Sequence, residues 1–175
     1  EGLDVFDGDL SAIKLLMNAG EQVTTEVCDG FLRATGLPSN VMQPAFGMAE
    51  VCTCMTYCND YEQSALLRIH KVSMQDATLR FADGTTPSYQ VATFVNLGPV
   101  SPGVEMRIAA SGGSTVLRER QIGHLQIRGP CVMMGYHNNP KANAECFPGD
   151  DWFDSGDLGF IHDGQLVLTG RAKEM

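Results

Sequence analysis

The sequence predicts an α/β fragment, the end of an α/β sheet subdomain, followed by a β-rich insertion and a small antiparallel β-barrel subdomain. Three observations carry this. A short apolar run, Ile13 and Leu15 to Met17, stops at Asn18-Ala19-Gly20-Glu21 and gives way to a helical pattern, the order expected of an α/β sheet. After Pro99 short alternating stretches recur between Gly-rich turns, as in a small antiparallel barrel or sandwich. Near the end, Phe160-Ile161 and Leu166-Val167-Leu168 flank His162-Asp163-Gly164-Gln165, and Asp-Gly supplies the positive φ angles of a tight hairpin. The divisions fall at 1–58, 59–94 and 95–170, leaving 171–175 as a terminal stretch.

In chain order, Asp9-Leu10-Ser11 is read as the cap of a short element, and Ile13 to Met17 as a buried strand, although a run of this length also fits a helix. A helix then starts at Thr24 or Thr25, carries Val27, Phe31 and Leu32 on its apolar face, and stops at Gly36-Leu37-Pro38. Val41 to Ala45 leads into Phe46-Gly47-Met48-Ala49-Glu50. Ligands lie off the carboxyl ends of strands in open α/β sheets, so Ala19-Gly20-Glu21 and Phe46 to Glu50 are expected on one rim. Val51 to Cys58 reads as a strand with small thiols packed inward. Cys52, Cys54 and Cys58 are not spaced as a zinc knuckle, and no His lies nearby to complete four ligands.

Between 59 and 94, Leu66 to Ile69, Ala77 to Phe81 and Gln90 to Phe94 read as short strands, with Asp83-Gly84 turning between the last two. Asp60, Glu62, His70 and Lys71 read as a solvated face. Val104 to Ile108 and Gly123 to Gly129 alternate as strands around Ser111-Gly112-Gly113-Ser114, and Pro140 to Cys146 reads as a brief helix.

The chain has 175 residues, 43% hydrophobic and 19% charged, enough to bury a core. A formal net charge of -9 without a basic cluster argues against a nucleic-acid or anionic-membrane partner. No apolar run approaches a membrane span, and Glu1-Gly2-Leu3-Asp4 does not open a signal peptide, so a cytoplasmic location is the expectation. The absence of an initiator Met and the closeness of Met175 to Arg171 and Lys173 read as an excerpt of a longer chain.

The hairpin carries chemistry at its open end. Asp157 sits among glycines in Ser155-Gly156-Asp157-Leu158-Gly159, and Arg171 follows Gly170. A carboxylate accepts hydroxyl protons and a guanidinium meets anionic oxygens, so the pair suits a hydroxylated, phosphorylated molecule.

Taken together, four ordered segments resemble the adenylate-forming superfamily of acyl- and aryl-CoA synthetases, luciferases and peptide-synthetase adenylation domains. They are Asn18 to Glu21; Phe46 to Glu50, against the family pattern Tyr-Gly-x-Thr-Glu; Gly123 to Gly129 with Gly135-Tyr136-His137-Asn138-Asn139-Pro140; and Ser155-Gly156-Asp157 with Gly170-Arg171-Ala172-Lys173. The resemblance implies ATP and Mg2+ as cofactors. It implies that Phe46 stacks on adenine beside Gly47 and Met48, and that the Ala19-Gly20-Glu21 backbone lines the other side of the ring. Glu50 matches the magnesium-associated catalytic glutamate, Asp157 the ribose-binding aspartate, Arg171 the arginine on the ribose and phosphate side, and Lys173 the hinge to a C-terminal domain.

Two departures, Ala49 for the commoner Thr and a long stretch between Glu50 and Val95-Asn96-Leu97-Gly98, resemble fatty-acyl-AMP ligases of polyketide or hybrid polyketide-peptide synthases. Those enzymes activate a carboxylic, fatty acid as acyl-AMP and pass it to the phosphopantetheine thiol of an acyl carrier protein. The family's phosphate loop and catalytic lysine are expected upstream and downstream of this chain, which is therefore expected to be inactive alone. An acyl-CoA synthetase and a non-catalytic β-rich interaction module are the rival readings.

Overall fold

A computed structural model of the protein describes residues 8–61, 66–149 and 151–174. Glu1 to Asp4, Glu62 and Met175 lie outside the described residues. The first described strand, β1 (Leu16–Asn18), pairs in parallel with β2 (Met42–Gly47), and α1 (Thr25–Thr35) makes the crossover between them. Thr24 caps α1 by accepting from the Val27 amide, and Gly36 closes it with its N–H on Leu32 O. The buried face is Cys28 and Leu32 with Phe31 alongside, packed on Val41, Met42 and Leu16. Val27 is 62% exposed and does not belong to that face, a correction to the expected stripe.

Because β1 and β2 are parallel, their carboxyl ends share one rim, and Gly20 and Phe46 leave the sheet together. The strand expected over Ile13 to Met17 is shorter than read, and it is not buried: Leu15 and Met17 are 56% and 51% exposed. Asp9-Leu10-Ser11 forms a local turn in which the Asp9 carboxylate accepts from the Ser11 amide, and it caps no helix.

Strand β3 (Cys54–Tyr57) completes the small sheet antiparallel to β2. It buries Met55 and Thr56; of the thiols read as packed inward, Cys58 is buried and Cys54 partly so, whereas Cys52 precedes the strand and is exposed. The register slips between Phe46 and Gly47. A Cβ at Gly47 would run into the Cys54 backbone and Thr53 O, which makes this a position where two chains approach more closely than a side chain permits.

The remaining strands are β4 (Leu66–His70), β5 (Val91–Pro99), β6 (Glu105–Ala109), β7 (Gly123–Arg128), β8 (Phe153–His162) and β9 (Gln165–Arg171). They form one six-stranded sheet in the order β4-β5-β9-β8-β7-β6. Among the described residues its outer strands β4 and β6 do not pair, so the small closed barrel expected from the spacing is an open sheet. Ala77 to Phe81 is not a strand either; it touches β4 through a single bridge, Phe81 to Ile69. The Asp83 turn is present, its carboxylate lowered to about 2 by hydrogen bonds from Thr85 and Thr86. The expected helix over Pro140 to Cys146 is α2 (Pro140–Cys146), with Asn139 capping and Pro140 at its first turn.

Both faces of this sheet are covered. Phe153, Leu125, Ile127 and Leu166 pack with Met55 of β3 and with Val51 from the turn between β2 and β3, whereas Phe160 and Val167 pack on the opposite side with Ile69 and Leu79. Adjacent residues Leu166 and Val167 thus enter different clusters, as the two-residue period of a strand requires. Each such side chain contributes on the order of 1.5–3 kcal/mol on burial. Ser101 N donating to Met55 O and a bridge from Thr56 to Val100 tie the small sheet to the end of β5. The carboxyl-end rim of β1 and β2 is thereby held against the β8–β9 hairpin of the other sheet.

Candidate functional site

A cleft of about 290 Å³ opens where the two sheets meet. Its walls include Gly20 and Glu21 from the loop after β1, Phe46, Gly47 and Met48 from the end of β2, and Asp157 and Arg171 from the hairpin. Seven of the residues read from the sequence therefore face one hollow. Ala19, Glu50 and Lys173 do not line it.

The hairpin explains how Asp157 and Arg171 meet. The turn residues Asp163 and Gly164 have φ of 49° and 72°, the mirror-image turn whose twist matches the strands. From it β8 and β9 pair in register as far as Gly159 opposite Leu168, then slip by one residue at Thr169, which sets Asp157 opposite Arg171, with Arg171 Nε 3.1 Å from Asp157 Oδ1. The Asp157 amide donates to Ser155 Oγ, whose hydroxyl donates to Leu125 O, so the β8 backbone at Asp157 is tied to β7.

Asp157 is 4% exposed, and burial pushes its carboxyl above the usual range while the Arg171 charge and the Ser155 hydrogen bond pull it back. Its second oxygen, Oδ2, is buried and accepts no hydrogen bond among the described residues. A buried acceptor without a donor costs stability, and a ligand hydroxyl at the cleft would satisfy it. The Arg171 side chain is 59% exposed and retains donors for an anion.

Phe46 is half-buried, its amide donating to Thr56 Oγ1 and its ring packed on the central core. It is seated as a wall, with Val23, Val95, Leu97 and Leu168 supplying further apolar lining. These four escaped the sequence reading because Val95, Leu97 and Leu168 belong to ordinary strand patterns and Val23 stands alone among polar residues; only the fold brings them together. Glu174 also reaches the cleft, from the short 3-10 turn Ala172–Glu174.

Glu50 stands on the 3-10 turn Ala49–Val51. Tyr136 donates its hydroxyl to Glu50 Oε1 at 2.7 Å, and the Met133 amide donates to Glu50 O at 2.8 Å. The carboxylate pushes the Tyr136 phenol up to about 12. Tyr136, quoted within a motif but given no role, is thus the partner of Glu50. A single hard oxygen donor suits Mg2+, which is bound through one or two carboxylates with substrate phosphates, and Glu50 Oε2 has no hydrogen-bond partner among the described residues. The residues present fit such an ion. Among the described residues, no helix is long and apolar enough to cross a membrane.

An apolar-walled hollow with a buried carboxylate, an arginine and a β-strand rim has the make-up of a small-molecule site. The sequence profile of the AMP-binding enzyme family matches residues 2–137, and the chain belongs to that family. It is 36% identical over 180 residues to nonribosomal peptide synthetase atqA of Aspergillus terreus, covering 98% of this chain and 16% of that protein. It is 32% identical over 177 residues to microperfuranone synthase of Emericella nidulans, covering 97% and 16%. The adenylation domain of a keto acid-selecting NRPS module bound to keto acyl adenylate superposes with TM-score 0.86 and 37% identity, over 95% of this chain and 31% of that one. The fatty acid AMP ligase from Legionella pneumophila superposes with TM-score 0.82 and 26% identity, over 93% and 29%. The chain spans 16% of the length of the curated relatives named here. The adenylate-forming resemblance of the four motifs is confirmed, with peptide-synthetase adenylation domains and fatty acyl-AMP ligases both among the similar structures.

Proposed function

We propose that the chain is the nucleoside-gripping part of an adenylate-forming ligase, which in the whole protein activates a carboxylic acid with ATP and delivers the acyl group to a carrier-protein thiol. The observation that carries this is the unpaired, buried Asp157 Oδ2 beside Arg171 in the cleft walled by Phe46. In this reading Asp157 accepts ribose hydroxyl protons, and Arg171 meets oxygens on the ribose and phosphate side. The adenine lies between the Phe46 ring and the backbone at Ala19-Gly20-Glu21, with Gly47 and Met48 completing the pocket.

A substrate carboxylate oxygen forms a bond to the α-phosphorus, the bond to the β-phosphate oxygen breaks, and pyrophosphate leaves with its electron pair. Such a step asks the protein for alignment and charge stabilisation. Mg2+, held through Glu50 with the phosphates, supplies charge neutralisation when bound. Tyr136 orients the Glu50 carboxylate. Lys173, exposed in the terminal turn, is the pivot about which a following domain turns between adenylation and thiol capture.

For the acid, 37% identity to a keto acid-selecting module against 26% to a fatty acid AMP ligase favours a keto acid. The long stretch between Glu50 and β5 favours the second reading, a fatty acid, because it is the feature that resembles fatty-acyl-AMP ligases. Pyrophosphate exchange by the full-length protein with keto, fatty and amino acids in parallel separates them, and thioester formation on its carrier protein or on coenzyme A fixes the acceptor. No binding of ATP with magnesium by the full-length protein would leave only the interaction-module reading.

A further inference from the structure

We infer that Cys52 and Cys131 form a redox-sensitive thiol pair that closes to a disulfide and clamps the Glu50 turn. The two are far apart in sequence, yet the Cys52 thiol donates to Cys131 O at 3.3 Å. The Met133 amide donates to Glu50 O at 2.8 Å. These two bonds join 50 to 133 and 52 to 131, so the segments run antiparallel past one another, with the cysteines opposite. The carbonyl oxygen is two bonds from the Cα that carries the second thiol. Closing the pair requires rotation about χ1 to turn the sulfurs towards one another.

Accessibility favours an ordered reaction. Cys52 is exposed at a φ of 71°, on a tight turn, whereas Cys131 is half-buried against the central core. Neither is spoken for by the nucleotide cleft. A peroxide takes Cys52 to a sulfenic acid and leaves as water. The Cys131 thiolate then attacks that sulfur, the S–S bond forms as the S–O bond breaks, and a second water departs. Two thiols lose two electrons and two protons, and one peroxide is reduced. A thiol reductant reverses the step by exchange.

The cross-link would fasten the turn bearing Glu50 to the segment that leads to Tyr136, whose hydroxyl already holds that carboxylate. Its consequence for activity rests on the proposed role of Glu50; the cross-link itself does not. The test is treatment of the full-length protein with limiting hydrogen peroxide, followed by digestion without reductant and mass spectrometry. The expected result is a Cys52–Cys131 peptide pair that disappears with dithiothreitol, is absent in Cys52→Ser and in Cys131→Ala, and persists in Cys54→Ser. Pyrophosphate exchange should fall several-fold on oxidation in the parent, recover with reductant, and be insensitive to peroxide in Cys52→Ser. Cys52 joined to another cysteine, or over-oxidised while Cys131 stays a thiol, overturns the pair. A mapped cross-link in a protein that shows no exchange in any state upholds the pair and counts against the ligase reading instead.

Discussion

Arg171 and Asp157 are register partners at the open end of the β8–β9 hairpin, with Arg171 Nε 3.1 Å from Asp157 Oδ1. The second carboxylate oxygen is buried without a donor among the described residues, and the largely exposed Arg171 keeps donors to spend on a ligand. Asp157→Ala and Arg171→Ala in the full-length protein each remove a charge-assisted bond worth on the order of 1.5–3 kcal/mol. ATP affinity should fall roughly ten- to hundredfold in each, measured by calorimetry. Near-wild-type affinity in both variants would contradict the assignment.

The same carboxylate destabilises the fold it serves. Burial raises the Asp157 carboxyl above its ordinary value of 3.8, so the folded state holds the proton more tightly than the unfolded state does. That favourable contribution is complete below pH 3.8 and is lost as pH rises through the folded value. At pH 7 the charged form is present, and Asp157→Asn should melt at a higher temperature than the parent while binding ATP more weakly. The advantage should shrink as pH is lowered towards 4. Equal or lower melting of the variant at pH 7 would sink the idea.

The site was more legible in the sequence than the sheet around it. Gly20, Phe46, Asp157 and Arg171 sit beside glycines, turns and strand ends, where residue type restricts the backbone, and the two-residue turn sets the hairpin's register as far as Gly159, beyond which a one-residue slip brings Asp157 opposite Arg171. The six-stranded sheet did not announce itself, because alternation marks a strand and not its neighbour. β5 pairs with β4 on one side and with β9, far along the chain, on the other. Val95 and Leu97 face the cleft for that reason alone. Met17 and Val27 fit an apolar pattern yet remain exposed, since a periodicity gives a face without stating what covers it.

Tyr136 holds Glu50 through one hydrogen bond, and that bond first, with burial and the carboxylate charge after it, pushes its phenol up to about 12. Tyr136→Phe keeps the ring and removes the hydroxyl. Spectrophotometric titration should lose one phenol from the alkaline end, and the maximal rate of adenylation should drop with little change in ATP affinity, since the cleft walls are untouched. A drop confined to ATP affinity would place Tyr136 in nucleotide binding, contrary to its position outside the cleft lining.

Gly47 joins the fold to the site at one atom. It lines the cleft, and it also sits at the slip in register between β2 and β3, where an added methyl would collide with the backbone of Cys54 and Thr53. Backbone cannot swing aside as a side-chain tip can, so Gly47→Ala must part the two strands or tilt the Phe46 wall. Overpacking of this kind costs about 1–3 kcal/mol. Gly113 provides the contrast, for its nearest neighbour to a new methyl is the Thr115 amide at 3.8 Å, an ordinary contact. Gly113→Ala should stay within about 0.5 kcal/mol of the parent in urea denaturation. Gly47→Ala should lower the midpoint clearly and weaken ATP binding with it, because the displaced strand is the one that carries Phe46. Matching midpoints for the two variants would mean that the close approach of β2 to β3 is not a constraint on this fold.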